Sequence, residues 1–393
     1  MKLVVVLALS LLVTLANAQG SYKKVCYFAN WAYYRNGLGQ YGVDKLDAFE
    51  CTHLIYGFSV LDSVTYEMKV YDSWVDIDLG GYQTFTGLKK QNPNLKTLIA
   101  LGGWNDSAFS TQYSELVSDP VKMANFVEKA LAFVLEYNFD GLDFDWEYPA
   151  DPGTPEDKEN FITLLRLLRD AFKPHNLLLT IASSCSQKRA EMSYDIPALA
   201  EVLDFVNFMA YDIHGAWENQ VDHHTPLYRR DYEEGFEAVL VAEAVDFWLE
   251  SGMPSEKLIF GLPSYGRTWR LQDSTKTDLL SPAIGAGPLG PYTGQDGFIS
   301  LYEIPFSNAI TATLEGRPFD TSTPAPTPTL YPKTTQRPIT CTSNGQYFAD
   351  PADCNKYYRC VNGEVVTLYC ETGLVFNSKD NVCDWPYNVP GCY

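Results

Sequence analysis

The sequence predicts an α/β fold, a parallel sheet or barrel of βαβ units, followed by a small disulfide-rich β module. The first part rests on a repeating pattern: runs of β-branched and aromatic residues of strand length alternate with longer helical patterns over the first 300 residues, as in parallel strands joined by helices. The second part rests on the cysteines, of which three precede residue 340 and six follow it. A short unit with so many cysteines is typical of a disulfide scaffold.

Composition and charge exclude several classes of partner. The hydrophobic content of 46% is that of a globular protein. A formal net charge of -20 argues against nucleic acid and anionic membranes as partners, because phosphate groups are bound by clusters of Lys and Arg. A neutral polysaccharide is compatible with this charge.

Residues 1–18 have the pattern of a secretory signal peptide. Lys2 precedes an apolar run over residues 3–15, and Ala16, Asn17 and Ala18 form a small-residue cleavage site. The run is too short to span a bilayer, and no other segment is apolar and long enough to do so. We therefore expect a secreted, extracellular product without a membrane partner.

Seven segments have the length and composition of strands. In chain order they are Lys24–Ala29, Thr52–Phe58, Lys96–Leu101, Asp140–Trp146, Leu177–Ile181, Phe205–Tyr211 and Leu258–Pro263. Between them, residues 120–137 and 157–172 carry apolar residues at helical spacing. An eight-stranded barrel of such units has its active site on the loops that follow the strands, so polar and aromatic residues there are the candidate site residues.

Aromatic residues follow several of these strands. Flat rings stack on sugar faces, so Trp31, Trp104 and Trp217 suit a cleft for an oligosaccharide, although each of them alone would also fit a core. Further candidates at strand ends are Phe58, Gly102, Gly103, Met209, Tyr211, Asp212, Tyr265 and Arg267.

Four carboxylates stand within eight residues of an otherwise apolar run. In a strand, Asp143, Asp145 and Glu147 share one face, and Phe144 and Trp146 lie on the other. Carboxylates about 7 Å apart on one face cannot all ionise cheaply, so at least one of their pKa values is expected to be raised. Glu147 comes last, at the end of the strand where a barrel exposes its catalytic groups, and we assign it as the proton donor.

Two other interpretations of this run stay open from the residues alone. A site for a hard divalent cation can be built from carboxylates only, and the run contains neither His nor Cys. A solvated acidic edge is disfavoured by the apolar neighbours Phe139, Leu142, Phe144 and Trp146. Catalysis is the favoured interpretation.

The spacing of Asp140, Asp143, Asp145 and Glu147 resembles the DxxDxDxE signature of glycoside hydrolase family 18, the chitinases and chitinase-like lectins. The resemblance implies a (β/α)8 TIM-type barrel and an endo-acting chitinase that hydrolyses the β-1,4 bonds of N-acetylglucosamine polymers with retention. In that family the last Glu protonates the glycosidic oxygen, while the substrate's own N-acetyl carbonyl attacks the anomeric carbon. Glu147, Asp145 and Asp143 would then be catalytic, with Asp145 orienting the acetamido group and Asp143 sharing a proton with Asp145.

Further segments resemble the same family. Residues 25–31 match its first strand, and residues 100–104 match its third. Tyr211 and Asp212 match its sixth-strand pair, and Tyr211 is expected to bond the acetamido carbonyl. The implied partners are chitin and chito-oligosaccharides, with no cofactor or metal, and a monomer is expected. The implied substrate-binding residues are Tyr27, Trp31, Phe58, Gly102, Gly103, Trp104, Met209, Asp212, Trp217, Tyr265 and Arg267.

The predicted catalytic domain also contains three cysteines and one glycosylation sequon. Cys26 and Cys51 match a disulfide that ties the first strand to the second in the family. Cys185 has no obvious mate and is predicted to be a buried free thiol. Asn105 begins an Asn-Asp-Ser sequon, a glycosylation acceptor in a secreted chain.

The chain departs from the family after its seventh strand. The family continues with an inserted α+β subdomain and an eighth strand that ends in a Trp at the floor of the central sugar subsite. No such strand lies between residues 304 and 340, so we predict a catalytic domain over residues 19–319 whose barrel is incomplete at the eighth strand. Weak or absent turnover would follow. The alternative is a non-catalytic, secreted chitin-binding protein.

Residues 320–340, rich in Thr and Pro, are predicted to be an extended linker to a second domain at 341–393. Its six cysteines permit fifteen pairings. Their spacing resembles the type-2, or peritrophin-A-like, chitin-binding module, which implies the pairs Cys341–Cys360, Cys354–Cys392 and Cys370–Cys383. Tyr358 and Trp385 are the predicted sugar-binding residues among its many aromatics. Zinc is disfavoured because this domain has no His.

Two weak motifs are set aside. Residues 285–290 fit GxGxxG, but no strand leads into them and Pro288 disfavours a helix start, so nucleotide binding is not predicted. His223 and His224 are adjacent, and adjacent side chains of an extended segment diverge. We predict a surface loop there rather than a metal site.

Overall fold

The computed structural model describes residues 22–230, 232, 239–304, 347–350, 354–361, 364–370, 375–379, 381–384 and 389. The chain forms two compact units, residues 1–317 and 318–393. The predicted signal peptide and the predicted linker lie outside the described residues.

A curved sheet of parallel strands forms the centre of the first unit. Its strands in the described residues are β1 Val25–Ala29, β2 His53–Leu61, β4 Lys96–Gly102, β5 Gly141–Asp145, β6 Leu178–Ser184, β7 Phe205–Met209 and β8 Leu258–Phe260, with a short antiparallel β3, Met68–Val70, on the side of β2. Neighbours along the chain are neighbours in the sheet, and all of their pairings are parallel. The seven predicted strands and the α/β class are therefore confirmed, and the sheet curls as in a TIM-type barrel.

Helices follow the strands and cover the outer face of the sheet. The described α-helices are α1 Gly81–Gly87, α2 Trp104–Ser107, α3 Gln112–Val117, α4 Pro120–Glu136, α5 Asp157–Phe172, α6 Gln187–Ser193, α7 Ile196–Val202 and α8 Val241–Glu250. The two predicted helices are confirmed as α4 and α5. Helix α4 begins where Asp119 accepts hydrogen bonds from the first free N–H groups and where Pro120 occupies the first helical position, since Pro has no N–H to leave unpaired there.

The alternation of β5 separates the core from the site. Phe144 and Trp146 are buried on the outer face, where both rings lie edge-on to Phe161 of α5 at 5.2 and 5.4 Å between centroids. Their neighbours Asp143 and Asp145 point to the inner face of the curved sheet. The core on the outer face thus fixes which side chains the strand presents inside.

The sheet has two outer strands, β1 and β8. Within the described residues neither of them has a second neighbour, and no eighth parallel strand is present between them. Their amino-terminal ends approach each other. Just before β1, the Lys23 ammonium group donates a hydrogen bond to the carbonyl of Glu256, just before β8, at 3.2 Å. The described sheet is therefore a barrel that is open at one side.

Two hairpin-like pairings follow β8. Strand β9, Tyr265–Arg267, pairs with β12, Phe298–Ser300, and β10, Trp269–Leu271, pairs with β11, Ala283–Ala286. The expectation that no strand leads into the GxGxxG match was wrong, because pairing with β10 makes Ala283–Ala286 a strand that includes Gly285. Residues 285–290 begin no helix. None of the described helices is long and apolar enough to cross a membrane.

The second unit is a small β module. Strands β13 Tyr347–Ala349, β14 Lys356–Val361 and β15 Glu364–Tyr369 form an antiparallel sheet, and β16 Val375–Asn377 pairs with β17 Val382–Asp384. Cys370 and Cys383 form the disulfide that the resemblance implied. Cys354 and Cys360 are also disulfide-bonded, and their implied partners, Cys392 and Cys341, lie outside the described residues, as does Trp385. The predicted disulfide-rich β module is confirmed at the level of its fold.

Candidate active site

The acidic run lies at the carboxyl end of β5, on the inner face of the sheet. Asp143 and Asp145 are buried, at 0% and 5% exposure, and Glu147 follows in the loop. The fourth acid, Asp140, is at the other end of the strand, where it accepts hydrogen bonds from the N–H and the hydroxyl of Thr97 and pairs with Lys89 at 3.1 Å. Three of the four signature acids thus lie at the carboxyl end of β5. Asp140 instead links the other end of β5 to Thr97 of β4 and to Lys89.

Asp143 is hydrogen-bonded across the interior of the curved sheet. The Tyr27 hydroxyl of β1 donates to its Oδ2 at 2.7 Å, and its Oδ1 accepts from the Thr180 hydroxyl of β6 at 2.5 Å and from Asn207 Nδ2 of β7 at 2.9 Å. One carboxyl therefore fixes three other strands relative to β5. Sequence reasoning missed Thr180 and Asn207. Each of them could have been found in the sequence as a polar residue at an inward-facing position of an otherwise apolar strand.

All three acids have raised pKa values, whereas the sequence predicted a raised pKa for at least one of them. Burial raises the pKa of Asp145 well above its ordinary value, with the charges of Glu147 and Asp143 adding to it. Burial also raises the pKa of Asp143, against the effect of its hydrogen bonds. Burial raises the pKa of Glu147 to about 7, where the Tyr148 hydroxyl opposes the shift and the Asp212 charge supports it. Within the described part of the chain, Asp145 Oδ1 is buried without a hydrogen-bond partner.

Two glycines let β4 approach the end of β5 closely. Gly102 has a φ of +110°, and a Cβ on it would lie 2.2 Å from the Asp145 carbonyl oxygen. Gly103 has a φ of +81°, and its N–H donates to the same carbonyl at 2.8 Å. A Cβ on Gly103 would also press on the Phe58 ring at 3.1 Å. These positions therefore require Gly in order to hold the backbone beneath the acids.

A buried serine contacts the backbone of Glu147. The Ser107 hydroxyl donates to the Gly103 carbonyl at 2.9 Å and accepts the Glu147 N–H at 2.9 Å. Ser107 is fully buried. In the sequence this residue stood out only as the last position of the sequon.

A further acid of the candidate site, Asp212, follows β7. Asp212 accepts the Tyr265 hydroxyl at 2.6 Å and Arg267 Nε at 2.7 Å, and His224 Nδ1 is 3.5 Å away. Burial alone would raise the pKa of Asp212, but its interactions with His224, Arg267 and Tyr265 hold it at about 2. Burial raises the pKa of Tyr211, which is half-buried with its ring 6.2 Å from that of Tyr265.

The surface-loop prediction was wrong for His224. Its side chain is largely buried between Asp212 and the Tyr265 ring, whose centroid is 5.4 Å from that of the imidazole. The reason is a backbone hydrogen bond from Ile213 N to the His224 carbonyl, at 3.0 Å, which folds this segment back over the end of β7. Such a long-range pairing has no signature in the local sequence.

The three candidate tryptophans are exposed, which excludes the core interpretation for each of them. Trp31 is 45% exposed and stacks on Phe58 with 6.1 Å between centroids and 9° between planes. Trp104 is 53% exposed and lies edge-on to Phe109 at 5.6 Å. Trp217 is 59% exposed, with the Arg267 guanidinium 5.2 Å from its ring centre.

The other candidates lie at the same edge of the sheet. Tyr27 is 42% exposed although its hydroxyl reaches Asp143, and Met209 ends β7 half-buried. In the described ranges, no group of three or more His, Cys, Asp or Glu side chains is arranged to hold a metal ion. The arrangement offers a protonated carboxyl beside two further acids, bordered by aromatic rings.

Comparison with known proteins assigns the family. The model of "Glycosyl hydrolases family 18" matches residues 23–359. The chain belongs to this family. Residues 341–392 match the model of "Chitin binding Peritrophin-A domain".

Relatives of the chain include an insect protein and two solved structures. Probable chitinase 2 of Drosophila melanogaster is 40% identical over 285 residues, which are 71% of this chain and 57% of that protein. The Group IV chitinase of Ostrinia furnacalis is 42% identical, with a TM-score of 0.69 over 72% of this chain and 77% of that chain. Human YKL-39, described as a pseudo-chitinase that retains chitooligosaccharide binding, is 33% identical, with a TM-score of 0.66 over 72% of this chain and 77% of that chain.

The length of the match differs from one relative to another. The chain spans between 12% and 61% of the length of the curated relatives that it matches. Family and fold follow from these matches, whereas activity and substrate are inferred from the site.

Proposed function

We propose that the protein is an endo-acting chitinase that hydrolyses the β-1,4 bonds of N-acetylglucosamine polymers with retention of configuration. The observation that carries the proposal is the Glu147 carboxyl, whose pKa is raised to about 7. This carboxyl belongs to the same strand end as the buried acids Asp143 and Asp145. An acid that is still about half protonated at neutral pH can donate a proton to a leaving oxygen.

The first chemical step follows from the residues at the end of β5. Glu147 donates its proton to the glycosidic oxygen, and the bond to the anomeric carbon breaks as the substrate's acetamido oxygen attacks that carbon. The buried Asp145 Oδ1, which has no partner within the described residues, accepts the acetamido N–H and turns the carbonyl oxygen toward the anomeric carbon. The Tyr211 hydroxyl donates to that same oxygen. The product of this step is an oxazolinium ion.

The second step uses the same groups in reverse. The Glu147 carboxylate takes a proton from a water molecule, and the water opens the oxazolinium ion on the face that the leaving group vacated. Two inversions give net retention. Asp143 and Asp145 share one proton, so the pair carries one negative charge. Asp143 is fixed by Tyr27, Thr180 and Asn207.

The exposed rings and polar groups around these acids form the substrate cleft in this proposal. Trp31, Trp104 and Trp217 offer flat faces to successive sugars, and Arg267 and Tyr265 fix Asp212 for hydrogen bonds to sugar hydroxyls. Phe58, Gly102 and Gly103 support the cleft from beneath, and Tyr27 and Met209 line it.

The proposal is tested with the purified chain and a chitohexaose substrate. An endo-acting, retaining enzyme releases products from internal bonds, and NMR detects the β-anomer before mutarotation. The alternative function is a non-catalytic chitin-binding protein, which the open side of the described barrel favours. A folded chain that binds chitin beads but releases no product supports that alternative and contradicts the proposed hydrolase.

The pH dependence of the reaction follows from Glu147. Its pKa of about 7 lies above the ordinary value of 4.5, so the protonated form that the first step needs persists to neutral pH and is lost as the pH rises further. We expect kcat/KM to fall by about tenfold per pH unit above about 7. Initial rates on a fluorogenic chitotrioside between pH 4 and 9 measure this decrease of kcat/KM. A rate that stays constant to pH 9 would contradict the role of Glu147 as the acid.

The small module is proposed to bind chitin through the face of its sheet that carries Tyr358 and Tyr369. The register pairs Lys356 with Tyr369 and Tyr358 with Thr367, so these four side chains share one face. Tyr369 is 63% exposed, and the hydroxyl of Tyr358 bonds to Asp350, which fixes its ring. Trp385, the other predicted residue of this site, remains a candidate.

Replacing Tyr369 by Ala is expected to weaken binding to chitin beads by about fivefold, because one ring–sugar contact contributes about 1 kcal/mol. The control is Val366→Ala, an exposed residue on the opposite face of the same strand. Depletion assays on chitin beads compare the two variants. Equal binding by both would show that this face is not the contact surface.

We further propose a secreted monomer with a catalytic domain at 19–319, a linker at 320–340 and a binding domain at 341–393. The family, its disulfides and the division near residue 317 support this organisation. Cys26 and Cys51 are bonded, and Cys185 is a buried free thiol. Amino-terminal sequencing of the secreted product tests the predicted cleavage after Ala18, and light scattering tests the oligomeric state.

A further inference from the structure

Ser107 is placed to control the backbone of the proposed acid. It is fully buried at the end of the single-turn helix α2. Its hydroxyl accepts the Glu147 N–H at 2.9 Å and donates its own proton to the Gly103 carbonyl at 2.9 Å. The hydroxyl is therefore oriented by one bond and free to accept the other.

The helix that carries Ser107 is itself anchored to the sheet. The carboxylate of the preceding residue, Asp106, accepts the Leu61 N–H at the end of β2, at 3.1 Å, and the Tyr113 hydroxyl of α3, at 2.5 Å. The Asp106 carbonyl also accepts from the Gln112 side chain at 2.8 Å. Ser107 is thus a fixed point relative to β2 and α3.

The same short segment contacts the acidic run at two places, at the end of β5 and in the loop that follows it. Gly103 N–H donates to the Asp145 carbonyl at 2.8 Å, and two residues further along the run Ser107 accepts the Glu147 N–H. In the first contact the acidic run supplies the acceptor, the Asp145 carbonyl, and in the second it supplies the donor, the Glu147 N–H. Together they fix the backbone of Glu147 relative to that of Asp145, and the side chains follow their backbones.

We propose that Ser107 is a positioning residue that holds the Glu147 carboxyl at the distance from Asp145 that proton donation requires. This inference rests on the proposed function. A misplacement of a catalytic group by about 1 Å can cost about 100-fold in rate. Without the hydroxyl the Glu147 N–H loses its acceptor, and this part of the loop is free to shift.

The sequon complicates a simple test. Ser107 completes the sequence Asn105-Asp106-Ser107, and Asn105 is exposed beside Trp104. Replacing Ser107 by Ala therefore removes a hydroxyl and, in a secreted chain, a glycosylation sequence. Asn105→Gln removes the sequence alone, and Ser107→Thr retains both the hydroxyl and the sequence.

The experiment measures kcat and KM of the full chain and of these three variants on a fluorogenic chitotrioside. For Ser107→Ala we expect kcat to fall at least tenfold with KM within twofold, because Ser107 is fully buried and does not face the cleft surface. We expect Asn105→Gln to retain kcat within twofold of the parent, and Ser107→Thr to restore most of the loss. An unchanged kcat in Ser107→Ala, an equal loss in Asn105→Gln, or a change confined to KM would each overturn the proposal.

A second measurement separates this inference from the proposed function. Hydrogen exchange of the Glu147 amide, followed by NMR or by mass spectrometry of the peptide that contains it, reports the Ser107 contact without any turnover. We expect exchange at least tenfold faster in Ser107→Ala than in the parent and in Asn105→Gln. If the parent hydrolyses no chitotrioside, the proposed function fails, whereas unchanged exchange at Glu147 refutes the positioning role of Ser107 by itself.

Discussion

Replacing Glu147 by Gln is expected to lower kcat on a fluorogenic chitotrioside by about 10²–10⁴-fold, the range typical of a general acid. The amide keeps the shape of the side chain but has no acidic proton to transfer and cannot act as the base in the second step. Binding to the cleft rings is unaffected, so KM should change little. Steady-state kinetics of parent and variant on the same preparation provide the comparison.

The signature itself supplies a matched control, Asp140→Asn. Asp140 is a fourth acid of the run, but it bonds to Thr97 and Lys89 at the opposite end of β5. We expect this variant to retain kcat within about twofold and to be less stable by about 1–3 kcal/mol, because Thr97 loses a charged acceptor. Residual activity in Glu147→Gln equal to that of Asp140→Asn would exclude Glu147 as the acid.

Glu147→Gln also has a stability signature that depends on pH. The folded-state pKa of about 7 exceeds the ordinary 4.5, so ionisation of Glu147 costs stability, and this cost grows from about pH 4.5 and is complete above about pH 7. The uncharged Gln avoids it. The melting temperature of the variant relative to the parent should therefore be higher at pH 8 than at pH 4, and this difference also verifies that the inactive variant is folded.

Replacing Asp145 by Asn is expected to lower kcat by about 10²–10³-fold, the usual effect of removing one preorganised electrostatic contact to a charged intermediate. The buried Asp145 Oδ1 is the acceptor that we assign to the acetamido N–H, and the negative charge that Asp145 shares with Asp143 stabilises the positive oxazolinium ion. Asn retains an oxygen for the N–H but not the charge. Chitotrioside hydrolysis measures the loss.

The substrate's own acetamido group provides the check on this role. If Asp145 acts on that group, a substrate that lacks it should react slowly with the parent and lose little more in Asp145→Asn. A rate in Asp145→Asn within threefold of the parent on the acetylated substrate would show that the charge of Asp145 is dispensable.

The open side of the barrel separates the two candidate functions. Strands β1 and β8 are the outer strands of the described sheet, whereas Asp143 and Asp145 lie on β5 and Glu147 in the loop that follows it. Strand β5 is three pairings from each of the two outer strands. The hydrogen bonds of Asp143 to β1, β6 and β7 hold the site together from within. Turnover by the purified chain would support the hydrolase, in which these internal bonds position the acids.

The local sequence determined much of this protein. Alternating strand and helix patterns predicted the seven parallel strands and the helices α4 and α5, because burial of one face imposes a period on each element. The spacing of Asp143, Asp145 and Glu147 predicted one acidic face with at least one raised pKa, since residues two apart in a strand point the same way. Cysteine density predicted the disulfide-rich module. These properties depend on neighbours in the chain.

The contacts between distant elements were decided only by the tertiary structure. Thr180 of the neighbouring strand β6 and Asn207 of β7, the next strand beyond it, meet Asp143 on the inner face of the curved sheet. His224 meets Asp212 because Ile213 pairs with its carbonyl. Ser107 reaches the Glu147 N–H from 40 residues away. A local pattern specifies which face a side chain occupies, but its partner is set by strand register and loop closure, whose free energies depend on the whole chain.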